Sequence, residues 1–111
     1  MIRNLLADVP AALPEERVEV LVETPDLRLE RIVSTGHATP PGRWYEQPTA
    51  EWVAVLAGSA GLRLLDPEEE VVMGPGDALL IPARRRHRVE WTDPRRPTVW
   101  LALHFREGLS G

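Results

Sequence analysis

The stretch GPGDALLIPARRRHRVEW, residues 74–91, decides the fold. A Gly-Pro-Gly-Asp turn opens it, the apolar residues Ala78 to Ile81 follow, and Pro82 stops them. Beyond three arginines the chain resumes with an alternation. His87, Val89 and Trp91 share one face of an extended segment, and Arg88, Glu90 and Thr92 share the other. The period is two, so this is a pair of short strands joined by turns rather than a helix.

The same pattern extends in both directions. RVEVLVE (17–23) puts Val18, Val20 and Val22 on one face, and LRLERIVS (27–34) reads as its antiparallel neighbour across the turn TPD. After the loop TGHATPPGR (35–43) come EWVAVLAG (51–58), GLRLL (61–65), EEVVM (69–73), ALLIP (78–82), HRVEWT (87–92) and TVWLALHF (98–105). Eleven prolines and eight glycines leave few windows in which a helix of ordinary length fits. Short strands at near-regular spacing with hairpin-length connections predict an all-β fold, an antiparallel jelly-roll barrel or sandwich of about eight to ten strands. Residues 1–16 read as an irregular or briefly helical segment, 17–106 as the barrel and 107–111 as a tail.

Composition narrows the function. The 111 residues suit one domain with one core, 43% hydrophobic and 27% charged as in ordinary globular proteins. No apolar run approaches the ~20 residues of a membrane span. Asp8 and Pro10 interrupt any leader-like apolar stretch, so a cytoplasmic protein is expected. The absence of cysteine removes disulfides, thiolate nucleophiles and cysteine-based zinc sites. Six arginines between Arg84 and Arg96 face only Glu90 and Asp93, but the whole chain carries −4 and all 13 of its basic residues are arginine. A run of arginines in a lysine-free chain reflects codon usage as readily as a basic patch. A nucleic-acid partner is therefore not expected.

Two segments carry a family resemblance. In YEQPTAEWVAVLAG, Glu51 is followed by six residues and Gly58; in GPGDALLIPARRRHRVEW, Gly76, Pro82 and His87 stand at fixed intervals. Over roughly residues 27–105 the chain resembles the cupin family, in particular its small single-domain members, whose motifs are G-x5-H-x-H-x3,4-E-x6-G and G-x5-P-x-G-x2-H-x3-N. Tyr45 and Gln47 stand at the two histidines of the first motif, Arg84 at the glycine of the second and Trp91 at its asparagine. The resemblance implies a barrel with an interior site. It does not choose a chemistry, because the same barrel hosts oxygenases, isomerases, sugar-binding modules and storage proteins.

The residues themselves point to that interior. His87 lies on the face of Val89 and Trp91, and Glu51 on the face of Val53 and Val55. A buried carboxylate is costly unless it is paired or bound to a metal. With Gln47 the two give a metal-ligand set of imidazole nitrogen, carboxylate and amide oxygen, suited to Zn²⁺, Mn²⁺, Fe²⁺ or Ni²⁺ with positions left open. Tyr45 would have to ionise from about 10 to join it. The alternative is a metal-free Glu51–His87 hydrogen-bonded pair with Gln47 as a polar wall.

Around this centre we expect a pocket of Tyr45, Trp91 and His104, with Arg84 and Arg85 at its mouth to meet a carboxylate or phosphate. His104 falls in VWLALHF, where both faces are apolar and period two leaves its direction open. His37 is expected in a solvent-facing loop. Trp44 is expected at the mouth, and Trp52 and Trp100 on an outer face that meets a second subunit in a homodimer. The functions that follow are a metal-dependent enzyme acting on a small carbonyl or sugar-like metabolite, or a non-catalytic module that binds or senses a small molecule.

Overall fold

The computed structural model describes residues 2–107 and contains eight strands and, among those residues, no helix. They are β1 (Arg17–Glu23), β2 (Leu27–Ser34), β3 (Ala50–Ala57), β4 (Ala60–Leu64), β5 (Glu69–Met73), β6 (Ala78–Ile81), β7 (His87–Thr92) and β8 (Thr98–Phe105). Each coincides with a strand read from the alternation to within one residue at either end. Five form one antiparallel sheet in the order β1-β2-β8-β3-β6, and three form a second in the order β5-β4-β7. This is an all-β sandwich. Among the described residues no helix is long and apolar enough to cross a membrane.

The core lies between the sheets. Val53, Val55, Trp100, Ala102 and Ile81 from the larger sheet meet Leu62, Leu64 and Met73 from the smaller one, all buried. Each fully buried aliphatic side chain of this kind contributes about 1.5–3 kcal/mol by leaving water. Two glycines hold turns that a side chain would break. Gly58 sits at φ 80°, and a Cβ there would meet Thr98 Oγ1 at 2.5 Å. Gly76 sits at φ 90° in the turn before β6. Both conformations are ones that only glycine adopts freely.

Two bulges alter the faces expected from strict alternation. In β1, Val20 pairs with Glu30 but Val22 pairs with Leu29, so Leu21 is the extra residue and Val22 turns to the face opposite Val18 and Val20. In β7, Val89 pairs with Leu62 and Trp91 with Gly61, leaving Glu90 as the extra residue. Trp91 was expected inside; it is instead 41% exposed, and Thr92 takes the buried position opposite Ala60. Trp100 is likewise corrected, from an outer-face residue to a buried one.

The larger sheet has two different faces. Its inner face extends past the three-stranded sheet and leaves Val18 and Val20 half-exposed. Its outer face is crossed by the register row Val22, Leu29, Leu103, Trp52 and Leu80. The N-terminal segment lies on this outer side, held by Arg31, whose Nε donates to the Leu5 carbonyl at 2.9 Å and Nη2 to that of Ala7 at 3.2 Å.

Candidate functional site

The larger sheet brings the polar residues together by register. His104 in β8 is the direct cross-strand partner of Arg28 in β2 and of Glu51 in β3. Directly opposed residues share a face with Cβ atoms about 5 Å apart, so this row settles the direction of His104: it faces inward. Glu30 lies one inward step along β2, opposite Ala102. His87 arrives from the smaller sheet at the start of β7, paired with Leu64.

These five groups form one chain of contacts. Glu51 Oε1 lies 3.2 Å from His87 Nε2, and Glu51 Oε2 lies 3.5 Å from His104 Nε2. That same His104 nitrogen is 2.9 Å from Glu30 Oε1, and Glu30 Oε2 is 3.0 Å from Arg28 Nε. His87 and His104 are 6% and 8% exposed. His87 Nδ1 stands 2.9 Å from the Arg85 carbonyl, which can only accept, so Nδ1 carries a hydrogen. A neutral His87 would then present a lone pair to Glu51, and the contact becomes a hydrogen bond when the ring is doubly protonated. Burial, the largest single influence, depresses the His87 pKa; the Glu51 hydrogen bond, the Arg85 carbonyl and the Glu51 charge together outweigh it and hold the ring above its ordinary value.

The segment from Tyr45 to Gln47 is tied to β7. Tyr45 N–H donates to the His87 carbonyl at 2.8 Å and His87 N–H returns a bond to the Tyr45 carbonyl at 3.0 Å. The two rings lie 5.7 Å apart, tilted by 31°. Arg84 N–H donates to the Gln47 carbonyl at 2.7 Å. Gln47 Oε1 is buried with no hydrogen-bond donor, as is His104 Nδ1 without a partner. Tyr45, Gln47, His87 and His104, with Arg28, Glu30, Glu51 and apolar walls from Val53, Leu62, Val89 and Trp100, line a cavity of about 240 Å³ between the sheets.

Of the expected site residues, Gln47, Glu51, His87, Tyr45 and His104 all border this cavity. Trp91, Arg84 and Arg85 do not. The β7 bulge turns Trp91 onto the outer face, and the side chain of Arg84 is exposed. Arg85 turns away along β4, donating to the carbonyls of Leu65 at 3.1 Å and Pro67 at 3.0 Å. The mouth expected of these two arginines for an anion is therefore not built. Arg86 pairs with Asp66, and Arg88 donates to the carbonyls of Thr39 and Arg43 and lies over the Trp44 ring. His37 caps its own loop, accepting from Thr35 N–H at 2.9 Å.

Glu30 and Arg28 escape the sequence reading. In LRLERIVS both alternating faces carry apolar and charged residues, so the sequence does not choose between them. Arg28, Glu30 and Ile32 line the cavity and Leu29 lies on the outer face, an assignment that comes from the register with β8.

Whether the residues suit a metal can be judged from the donors. Among the described residues no group of three or more His, Cys, Asp or Glu side chains is arranged to hold one. Yet an amide oxygen with no donor costs about 1–3 kcal/mol when buried, and Gln47 Oε1 borders the same cavity as Glu51 and His87. With Gln47 as a third donor, the residues fit a weak site of nitrogen and two oxygens.

Comparison with known proteins gives the same fold. Residues 32–104 match the cupin domain family. A Ralstonia eutropha structure provisionally assigned as a mannose-6-phosphate isomerase is 50% identical, with TM-score 0.91 over 96% of this chain and 98% of its own. A cupin superfamily protein from Desulfitobacterium hafniense is 14% identical, with TM-score 0.73 over 89% of this chain and 84% of its own. The cobalt(II) form of HppE in complex with Tris buffer is 17% identical, with TM-score 0.68 over 88% of this chain and 58% of its own. At such identities the last two speak to the fold alone. No curated protein matches the sequence.

Proposed function

The chain belongs to the cupin family, and from that premise we propose that its cavity binds a small carbonyl or sugar-like metabolite on which Glu51 and His87 move a proton. One observation carries this reading: the Glu51 carboxylate stands between two imidazoles, 3.2 Å from His87 and 3.5 Å from His104, at the wall of the cavity. A carboxylate takes a proton from the carbon beside a carbonyl, and the His87 imidazolium gives one to the carbonyl oxygen, forming an enediol. Return of the protons to the exchanged positions completes an isomerisation. Positioned acid–base pairs contribute typically 10²–10⁴-fold to such steps. The provisional isomerase assignment of the Ralstonia relative supports this class of reaction.

The test is NMR in D₂O with mannose and mannose 6-phosphate, following deuterium incorporation next to the carbonyl. Exchange that disappears in Glu51→Gln is expected. Binding without exchange in the wild type would leave the non-catalytic module as the function.

A second reading adds a divalent cation, Zn²⁺, Mn²⁺, Fe²⁺ or Ni²⁺, held by His87, Glu51 and Gln47; the orphaned Gln47 oxygen favours it. Such an ion would polarise the substrate carbonyl. Glu30 and His104, 2.9 Å apart, would then hold the proton. Metal analysis of untagged protein beside Glu51→Ala and His87→Ala decides it: equal metal content in all three overturns the ion. We further propose a homodimer that covers the apolar outer row of the larger sheet, where Trp52 is 37% exposed and Leu80 53%.

A further inference from the structure

The charges and lone pairs of the cavity fix the kind of ligand it accepts. Three carboxylates line it, from Glu16, Glu30 and Glu51, against a single arginine, Arg28, and the two imidazoles of His87 and His104. Arg28 is already committed to Glu30 at 3.0 Å. The other arginines of the 84–88 run are turned elsewhere, and the described residues contain no helix whose N-terminus would cradle a phosphate. Gln47 Oε1 adds a buried acceptor without a donor.

We propose that the natural ligand carries a protonated amine beside its carbonyl or hydroxyl groups, as an amino sugar does, and carries no phosphate. This deepens the function proposed above and rests on it. An ammonium brings three N–H donors and a positive charge. It can satisfy Gln47 Oε1 while its charge is balanced by Glu30 and Glu51. Apolar walls from Val53, Leu62 and Val89 accept the carbon frame. A phosphate in the same place would bring further acceptors to Gln47 Oε1 and stand against the largely buried carboxylates of Glu30 and Glu51. The acidic lining thus selects the sign of the ligand's charge.

Three probes with the same hexose frame test it: mannosamine, mannose and mannose 6-phosphate, titrated calorimetrically at mildly acidic pH, where the amine is protonated. Mannosamine is expected to bind at least tenfold more tightly than mannose, and mannose 6-phosphate more weakly than mannose. Glu30→Gln and Glu16→Gln should each reduce the ratio of mannosamine to mannose affinity several-fold. The Glu16 variant lies on the rim and keeps the test sound if Glu30→Gln fails to fold. Mannose 6-phosphate binding most tightly, or mannosamine gaining nothing over mannose, would overturn the amine proposal and leave the sugar-like pocket standing. Binding of none of the three would overturn the pocket reading itself, and the amine proposal with it.

Discussion

Gly61 lies beneath the indole of Trp91, and a Cβ added there would stand 2.1 Å from Nε1. The two are register partners on the outer side of the β4–β7 pair, so the glycine is the seat on which the tryptophan rests. Gly61→Ala must displace the indole. Forcing extra volume into a packed contact costs about 1–3 kcal/mol, which at this size lowers Tm by roughly 4 °C or more. Combining it with Trp91→Ala should recover most of that loss, a coupling readable in a double-mutant cycle. Additive losses would show that the two residues do not share the space.

That contact also shows where the sequence is readable and where it is not. Eight strands were legible because period-two alternation and glycine-proline turns are local signals. The inward directions of Glu51 and His87 were legible because their valine neighbours declare a face. Trp91 was not, because the extra residue Glu90 shifts the phase only when β7 is paired with β4. Glu30 and Arg28 were hidden for a related reason. Their strand has apolar residues on both faces, and only the pairing of Arg28 with His104 shows which face lines the cavity. Arg84 and Arg85 lie outside the cavity lining, a matter of side-chain direction that turn sequence does not encode.

Arg84 supplies a second prediction. Its φ is 65°, a left-handed conformation that costs a side-chain-bearing residue roughly 1–2 kcal/mol, and it stands where the family motif has glycine. Its N–H bond to the Gln47 carbonyl holds it there. Arg84→Gly keeps that bond and relieves the strain, against the added chain entropy of glycine. A gain of about 0.5–1 kcal/mol is expected, seen as a higher denaturation midpoint with an unchanged m-value. A lowered midpoint would mean that the arginine side chain contributes more than its backbone costs.

The apolar outer row predicts an assembly. Trp52 stands between Leu103 and Leu80 in the row Val22, Leu29, Leu103, Trp52 and Leu80, and a charge placed there cannot be desolvated cheaply. Sedimentation at micromolar concentration should show a wild-type dimer and a folded Trp52→Glu monomer. A monomeric wild type would remove the homodimer.

His87 and Glu51 set a pH dependence whose sign follows from their geometry. The His87 ring is held above its ordinary value of 6.5: burial pulls it down, but the Glu51 hydrogen bond, the Arg85 carbonyl and the Glu51 charge outweigh burial. The folded chain therefore binds this proton more tightly than the unfolded chain does. The resulting stabilisation is complete below the unfolded value near 6.5 and is lost as pH rises through the higher folded value. In chelator-treated protein, Tm should fall as the pH is taken from 6 into the weakly alkaline range. Glu51→Gln removes the charge and the strongest acceptor, so its curve should be flatter over the same window. A wild-type Tm that rises across that window, or one that parallels the Glu51→Gln curve, would show that the two side chains do not share a proton.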